Sequence, residues 1–166
     1  MADQEELQPL RSLHSHHQTF IDFVNRSSGT ARAWWLDFSG APVSYGDIRP
    51  GRTLKMNTFL THPWIFRASD GSKLLANFRE VYFPCPAEYG DDGYPLFHTV
   101  VVTTPVYTLQ ECCLRLIRKL VRKEDVDKLE IPEFLRKDIR LTPDLLREIQ
   151  MLTRRANSGS YQCTET

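Results

Sequence analysis

The feature that most constrains the fold is a change of hydrophobic period near Pro105. Before this proline, short segments rich in aromatic and β-branched residues, such as residues 33–38 and 97–102, are separated by turn-forming residues. After it, apolar residues recur every three or four positions. Strands alternate with a period of about two residues, whereas helices repeat after about 3.6. The 166-residue chain therefore predicts a mixed architecture, a β-sandwich followed by a small three-helix domain.

The domain boundaries follow from this change of period. We place the sandwich at residues 10–104 and the helical domain at residues 105–156. Because both ends of the chain lack a hydrophobic pattern, we expect disordered tails at residues 1–9 and 157–166.

Three helices are predicted after the sandwich. The first begins at a capping box, in which the Thr108 side chain binds the Glu111 amide and the Glu111 side chain binds back to the Thr108 amide. The second helical patch covers roughly residues 124–139 and is interrupted at Pro132. The third has Thr142 as its candidate N-cap and Pro143 in the first helical position, and should run to about residue 155.

The charge balance argues against partners that need a global field. The 21 Lys and Arg residues balance the 21 Asp and Glu residues, so nothing pulls the whole chain toward nucleic acid or an anionic membrane. No stretch approaches the about 20 apolar residues of a membrane helix, and the acidic first residues do not resemble a signal peptide. We expect a cytoplasmic and nuclear protein with no nucleic-acid or membrane partner.

Residues that could support catalysis or metal binding lack companion motifs. The four cysteines have no C-x-x-C spacing, and the histidine cluster at residues 14–17 has no carboxylate at ligand spacing. No G-x-S-x-G, H-E-x-x-H or Gly-rich phosphate loop is present. Cys112, at the start of a predicted helix, and His62 remain as isolated reactive candidates. We expect no metal, no cofactor and no catalytic site.

A polar and aromatic set is predicted around His62. Strand alternation places His62 and Trp64 on one face, and the short connection after Thr58 predicts a hairpin that brings Thr58 near His62. Trp35 and Tyr45 are candidate additions from neighbouring segments. The residues alone favour an ordinary core with internal hydrogen bonds, and a binding pocket stays open as the alternative.

The first predicted helix carries an apolar stripe that also has two interpretations. Leu109, Cys113 and Ile117 recur at i, i+4 and i+8. Such a stripe either packs into the chain's own core or lies in the groove of a partner. Periodicity does not distinguish the two.

Several motifs occur together in one order along the chain. Thr108-Leu109-x-x-x-Cys113-x-x-x-Ile117 resembles the box with which ubiquitin-ligase receptors bind elongin C. It follows segments at residues 25–27, 35–40 and 62–67. Together these features resemble the von Hippel–Lindau tumour-suppressor family over about residues 10–139.

The resemblance implies a noncatalytic substrate receptor of a cullin-RING ubiquitin ligase that recognises prolyl-hydroxylated hypoxia-inducible factor alpha. Its implied partners are elongin C, elongin B, a cullin and a RING subunit. The implied hydroxyproline site consists of Trp35, Tyr45, Asn57, Thr58, His62 and Trp64. The implied elongin C surface consists of Thr108, Leu109, Cys112, Cys113, Leu116 and Ile117. The implied cullin contacts are Leu129, Ile131 and Pro132.

Several positions depart from the better-known family pattern. Asn57 replaces a histidine, Phe59 a tyrosine and Cys112 an arginine. Gly46 stands where a proline is usual, and His14 and His16 replace an asparagine and an arginine near the expected peptide path. These replacements suggest a divergent orthologue or a paralogue. The alternative function is therefore an elongin-binding interaction protein with weak or altered hydroxyproline recognition.

Overall fold

The computed structural model describes residues 9–158 and confirms the predicted class, strands first and helices after. The strands are β1 (Gln18–Asn25), β2 (Ala31–Leu36), β3 (Pro42–Ile48), β4 (Thr53–Phe59), β5 (Trp64–Ala68), β6 (Lys73–Ala76), β7 (Glu88–Tyr89), β8 (Pro95–Leu96) and β9 (His98–Thr103). The helices are α1 (Leu109–Leu120), a 3-10 helix (Lys123–Lys128), α2 (Glu133–Arg140) and α3 (Leu145–Asn157). Most residues of the predicted tails fall outside the described residues; of those that are described, Asn157 ends α3 and Ser158 is its C-cap.

Seven strands form one hydrogen-bonded sheet in the order β3-β2-β5-β6-β9-β1-β4. The sheet folds over on itself, so that β1, β4 and β9 make one layer and β2, β3 and β5 the other, with β6 bonded to both. The pairs are antiparallel except for β1 with β9, which is parallel. The two ends of the sheet are β3 and β4, and each has one hydrogen-bonded neighbour.

The main core lies between the two layers and follows strand alternation. Phe23 of β1 and Phe66 of β5 are fully buried, with ring centroids 4.9 Å apart. Trp64, two residues before Phe66, packs at 5.4 Å from Phe23. Alternate residues of one strand share a face. Phe23 of β1 and the alternate residues Trp64 and Phe66 of β5 therefore meet between the two layers.

A second core lies on the outer face of β5, under α3. Ile65 points away from Trp64 and Phe66 and joins a buried cluster with Leu36, Ile149 and Leu152. Since both faces of β5 are covered, its apolar residues do not alternate with exposed polar ones, and its one charged residue, Arg67, is itself buried. Helix α3 is thus the cover of the sheet's outer face.

Contacts divide the chain into two units at a different place from the predicted domains. Pro105–Pro143 form one unit, and the residues up to Thr104 form the other together with those from Asp144 onward. The sequence prediction had grouped residues 145–156 with the other helices. An amphipathic period shows that a helix has an apolar face but does not specify which surface that face covers.

The helix ends follow local chemistry. Thr108 caps α1 with both bonds of the predicted capping box, which is confirmed. Pro132 precedes α2 and separates it from the 3-10 helix, also as predicted. The predicted N-cap of α3 is wrong by two residues, because the Asp144 carboxylate, not Thr142, accepts the Leu146 N–H at 3.1 Å. In the described part of the chain, no helix has the length and apolarity needed to cross a membrane.

Candidate functional site

The connection between β4 and β5 crosses from one layer of the sheet to the other. The predicted hairpin is wrong: β4 pairs with β1, whereas β5 pairs with β2 and β6. Both hydrogen-bonding edges of β5 are already used, one by β2 and the other by β6, so β5 has no edge left to pair with β4. His62 consequently lies in the connection, just before β5, and not on a strand face.

Thr58 and Trp64 meet across this connection. The Trp64 indole Nε1–H donates to the Thr58 hydroxyl oxygen at 3.2 Å, and both residues are 2% exposed. An indole N–H has no other role than to donate, and a buried one needs an acceptor. The Thr58 oxygen therefore serves as the hydrogen-bond acceptor that the Trp64 N–H needs. The hydroxyl proton of Thr58 remains able to be donated to another acceptor.

The His62 ring is held by aromatic neighbours and is 6% exposed. It stacks on Trp35 with centroids 5.1 Å apart and an interplanar angle of 25°, while Phe59 and Phe38 approach at 5.1 and 5.6 Å. Burial lowers the pKa of His62 below its ordinary value; the His14 backbone partly opposes this effect. Burial therefore favours the neutral imidazole. Nε2 of His62 lies 3.2 Å from the Ser15 hydroxyl oxygen.

Tyr45 forms the open side of the same cluster. Its ring is 5.0 Å from Trp64 and 6.1 Å from Trp35, and the residue is 47% exposed. It lies on β3, the end strand, and is followed by Gly46, whose φ of +96° suits glycine. We call Trp35, Tyr45, Thr58, His62 and Trp64 the aromatic cluster. Two polar side chains, Thr58 and His62, thus stand among three large rings, of which the ring of Tyr45 is exposed.

Asn57 is the predicted site residue that does not join the aromatic cluster. It is exposed on the opposite face of β4 from Thr58, and it pairs with Phe20 across the β1–β4 ladder. Since successive strand residues point to opposite faces, Asn57 and Thr58 cannot both face inward. Any contact of Asn57 with a ligand would have to come from outside the cluster.

Two serines contact the cluster that sequence reasoning did not identify. Ser12 accepts the Trp35 indole N–H at 2.7 Å and donates to the Leu36 carbonyl at 2.6 Å. Ser15 contacts His62. Both lie before β1 in a segment without regular structure, more than twenty residues from their partners in sequence. No hydrophobic pattern or motif marks them.

Helix α1 leaves its apolar stripe uncovered. None of its residues is buried: Leu109 is 81% exposed, Leu116 is 57% exposed, and Cys112 and Cys113 are exposed as well. The interpretation that this stripe packs into the chain's own core is therefore wrong. A contiguous exposed apolar face is characteristic of an interaction surface.

The unit that carries α1 is held by polar as well as apolar contacts. Arg118 of α1 donates from Nε to the Ile139 carbonyl at 3.1 Å and from Nη2 to the Asp138 carbonyl at 2.6 Å, at the end of α2. Val126 and Ile139 are buried. The implied cullin contacts lie in this unit: Leu129 and Ile131 are half-buried, and Pro132 is exposed.

The histidine-rich segment before β1 does not assemble a metal site. The His14 and His16 rings stack at 4.3 Å. Within residues 9–158, no group of three or more His, Cys, Asp or Glu side chains is placed to hold a metal ion. Cys85, Cys112 and Cys113 are free and exposed, and Cys163 lies outside the described residues.

Comparison with protein families gives two matches that follow the order of the fold. A family model described as the VHL beta domain matches residues 10–90, and one described as the VHL box domain matches residues 107–155. Together they match well over half of the chain. The chain belongs to the von Hippel–Lindau (VHL) family. The resemblance found in the sequence is thereby confirmed.

Membership of the VHL family gives the coarse function. The VHL beta domain and the VHL box domain are those of a substrate-recognition, elongin-binding protein, a receptor subunit rather than a catalyst. The VHL box domain is the part that binds partners of the elongin and cullin type. Its match extends through most of α3, although α3 packs on the sheet.

Proposed function

We propose that this VHL-family chain is the substrate-recognition subunit of a cullin-RING ubiquitin ligase and binds prolyl-hydroxylated hypoxia-inducible factor alpha. The aromatic cluster would hold the hydroxyprolyl ring. The observation that carries this proposal is the placement of a hydroxyl, Thr58, and a neutral imidazole, His62, among the rings of Trp35, Tyr45 and Trp64.

The chemistry of the cluster suits a hydroxylated ring. Aromatic faces pack against the flat hydrocarbon of a proline, and Thr58 and His62 each offer a hydrogen-bonding group to its hydroxyl. An unmodified proline would leave both groups without a partner, at about 1–3 kcal/mol each. The combined preference of about 2–6 kcal/mol corresponds to roughly thirty-fold to more than ten-thousand-fold in affinity, at about 1.4 kcal/mol per tenfold.

The direct test compares two peptides that differ in one oxygen atom. The full chain, co-expressed with elongins B and C, is titrated with a hypoxia-inducible factor alpha peptide carrying hydroxyproline and with the same peptide carrying proline. We expect measurable binding of the first and at least thirty-fold weaker binding of the second. Equal affinities would refute the hydroxyproline assignment.

The exposed stripe of α1 supports a groove-bound adaptor contact. Leu109, Cys113 and Ile117 follow the spacing with which an amphipathic helix fills a partner's groove. We propose elongin C as that partner, with elongin B, the cullin and the RING subunit joining through the assembled complex. Leu109→Ala should weaken co-purification of elongins B and C. Lys119→Ala, on the same helix but off the stripe, is the matched control, and equal loss in both variants would contradict the groove contact.

A second candidate function rests on the replacements beside the cluster. Phe59 contacts His62 with a ring that carries no hydroxyl, and Asn57 stands where the family has an imidazole. A paralogue of this kind would bind elongins yet recognise hydroxyproline weakly. Phe59→Tyr combined with Asn57→His would then raise hydroxyproline affinity, and the unmodified chain would fail to lower hypoxia-inducible factor alpha in receptor-null cells. A cytoplasmic and nuclear location stays a prediction, open to imaging of the tagged chain.

A further inference from the structure

Ser15 is held against His62 by a clamp on the segment before β1. Its hydroxyl oxygen lies 3.2 Å from Nε2 of His62. Thr61, the residue before His62, donates its hydroxyl to the His14 carbonyl at 2.9 Å and accepts the His14 N–H at 3.1 Å. The residue before His62 is thus hydrogen-bonded to the residue before Ser15. These two bonds hold the backbone of both segments together, so that the Ser15 side chain is kept next to the His62 ring.

The donors and acceptors of the cluster can be followed from Trp64 outward. The Trp64 N–H donates to the Thr58 oxygen, which leaves the Thr58 hydroxyl proton to be donated elsewhere. A ligand hydroxyl that accepts this proton can donate its own, and the imidazole of His62, in the same aromatic cluster, can accept it. A neutral imidazole has one protonated and one unprotonated nitrogen. Since Nε2 faces Ser15, the nitrogen left for the ligand is Nδ1.

We infer that Ser15 is a positioning residue that fixes the tautomer of His62, accepting the proton of Nε2 so that Nδ1 stays unprotonated and can accept from a ligand hydroxyl. This inference rests on the proposed function for its ligand, and on the contact between Ser15 and His62 for its mechanism. The ligand group must then accept from Thr58 and donate to His62 at the same time. A free hydroxyl does both, whereas a fluorine or an ether oxygen in the same position only accepts.

Burial of His62 favours the neutral form that this arrangement needs. The ring is enclosed by Trp35, Phe38 and Phe59, and desolvation lowers its pKa. The groups that face it are the neutral Ser15 hydroxyl and the backbone and ring of His14; no carboxylate among the described residues is bonded to it. The protonated ring, with two donors, would oppose a ligand hydroxyl already accepting from Thr58.

The tautomer can be measured without any ligand. In the full chain with elongins B and C, labelled with ¹⁵N-histidine, long-range ¹H–¹⁵N spectra distinguish the protonated ring nitrogen from the unprotonated one, and His62→Gln identifies the His62 signals. We expect a proton on Nε2 in the unmodified chain and in Ser15→Thr. Ser15→Ala should give a mixture of tautomers. Ser69 is an exposed serine after β5, and Ser69→Ala should keep the proton on Nε2 as in the unmodified chain. A proton on Nδ1 in the unmodified chain would overturn the inference.

Peptide binding then tests the consequence. Ser15→Ala should lower the affinity for the hydroxyproline peptide about fivefold to tenfold, the effect of one hydrogen bond. The affinity for the proline peptide should not change. A fluoroproline peptide of the same ring stereochemistry should bind the unmodified chain no better than proline. If fluoroproline bound as tightly as hydroxyproline, donation to His62 would be excluded and the inference would fail. Failure of the proposed function looks different: no peptide discrimination in the unmodified chain, with the Nε2 tautomer still present.

Discussion

Removal of the Glu148 carboxylate should destabilise the sheet unit, because it leaves a buried guanidinium without its counter-charge. Arg67 of β5 is 5% exposed, and its Nε and Nη2 bind Glu148 Oε2 at 2.7 and 2.6 Å. Breaking a buried pair on one side costs about 3–5 kcal/mol. The Glu148 side chain is 30% exposed, and Arg67 Nη1 keeps its bond to the Phe66 carbonyl, so we place Glu148→Ala at about 2–3 kcal/mol.

Thermal and urea unfolding, followed by tryptophan fluorescence, measure this loss. For a chain of this size, each kcal/mol lowers Tm by about 2–4 °C, which predicts a decrease of roughly 4–12 °C for Glu148→Ala. Arg155→Ala is the matched control, since Arg155 also joins α3 to the sheet, through Glu80, but lies half-exposed. An exposed pair contributes about 0–1 kcal/mol, so the control should move Tm by no more than about 4 °C.

The double variant Arg67→Met with Glu148→Leu separates the two possible causes of a loss. If the unpaired buried charge is responsible, the double variant should recover most of the stability, since apolar residues replace both charges. If Glu148→Ala and Arg155→Ala are equally mild, Arg67 is solvated when unpaired and the reasoning is refuted.

Three further predictions concern the site and the adaptor helix. Thr58→Val should weaken the hydroxyproline peptide about tenfold and Thr58→Ser should not; calorimetry showing equal binding by both variants would remove Thr58 from the site. His62 has a folded-state pKa below its ordinary value of about 6.5, so the unfolded chain takes up the proton first and the free energy of unfolding should decrease as pH falls below about 6.5. His62→Gln should reduce this dependence of the free energy of unfolding on pH. An unchanged dependence in that variant would show that His62 is not its source. Thr108→Ala removes the N-cap of α1, which is worth about 1 kcal/mol. The affinity for elongin C, measured by surface plasmon resonance, should therefore decrease about fivefold. Undiminished affinity would contradict this prediction.

The parts of the fold that the sequence predicted depend on local chemistry. Thr108 and Glu111 form the capping box within one turn of α1, so their spacing alone determines the contact. Trp64 and Phe66 share one face of β5, as alternation over a few residues predicts. Trp64 and Thr58 were expected in one cluster and do meet, because only a short connection separates them.

The parts that the sequence did not predict depend on contacts between distant residues. A four-residue connection between β4 and β5 is compatible with a hairpin or with a crossing between layers, and only the pairing of β5 inside its layer decides. The sequence shows that α3 has an apolar face but not which surface that face covers. In the structure it packs against Ile65 and Leu36 of the sheet. Ser15 reaches His62 over 47 residues of chain, and nothing local to Ser15 indicates that contact.

The return of α3 to the sheet has a consequence for folding during translation. The outer face of β5, with Ile65 beside Leu36 and Val81, emerges from the ribosome well before its cover. About 60 residues of chain separate Val81 from Asp144, where the segment that carries α3 begins, which at about 5–20 residues per second is an interval of about three to twelve seconds. During that time the nascent receptor domain presents an apolar surface to chaperones and degradation enzymes. A premature stop after Pro143 would make that exposure permanent and would also remove the last part of the VHL box match, although α1 and α2 remained complete.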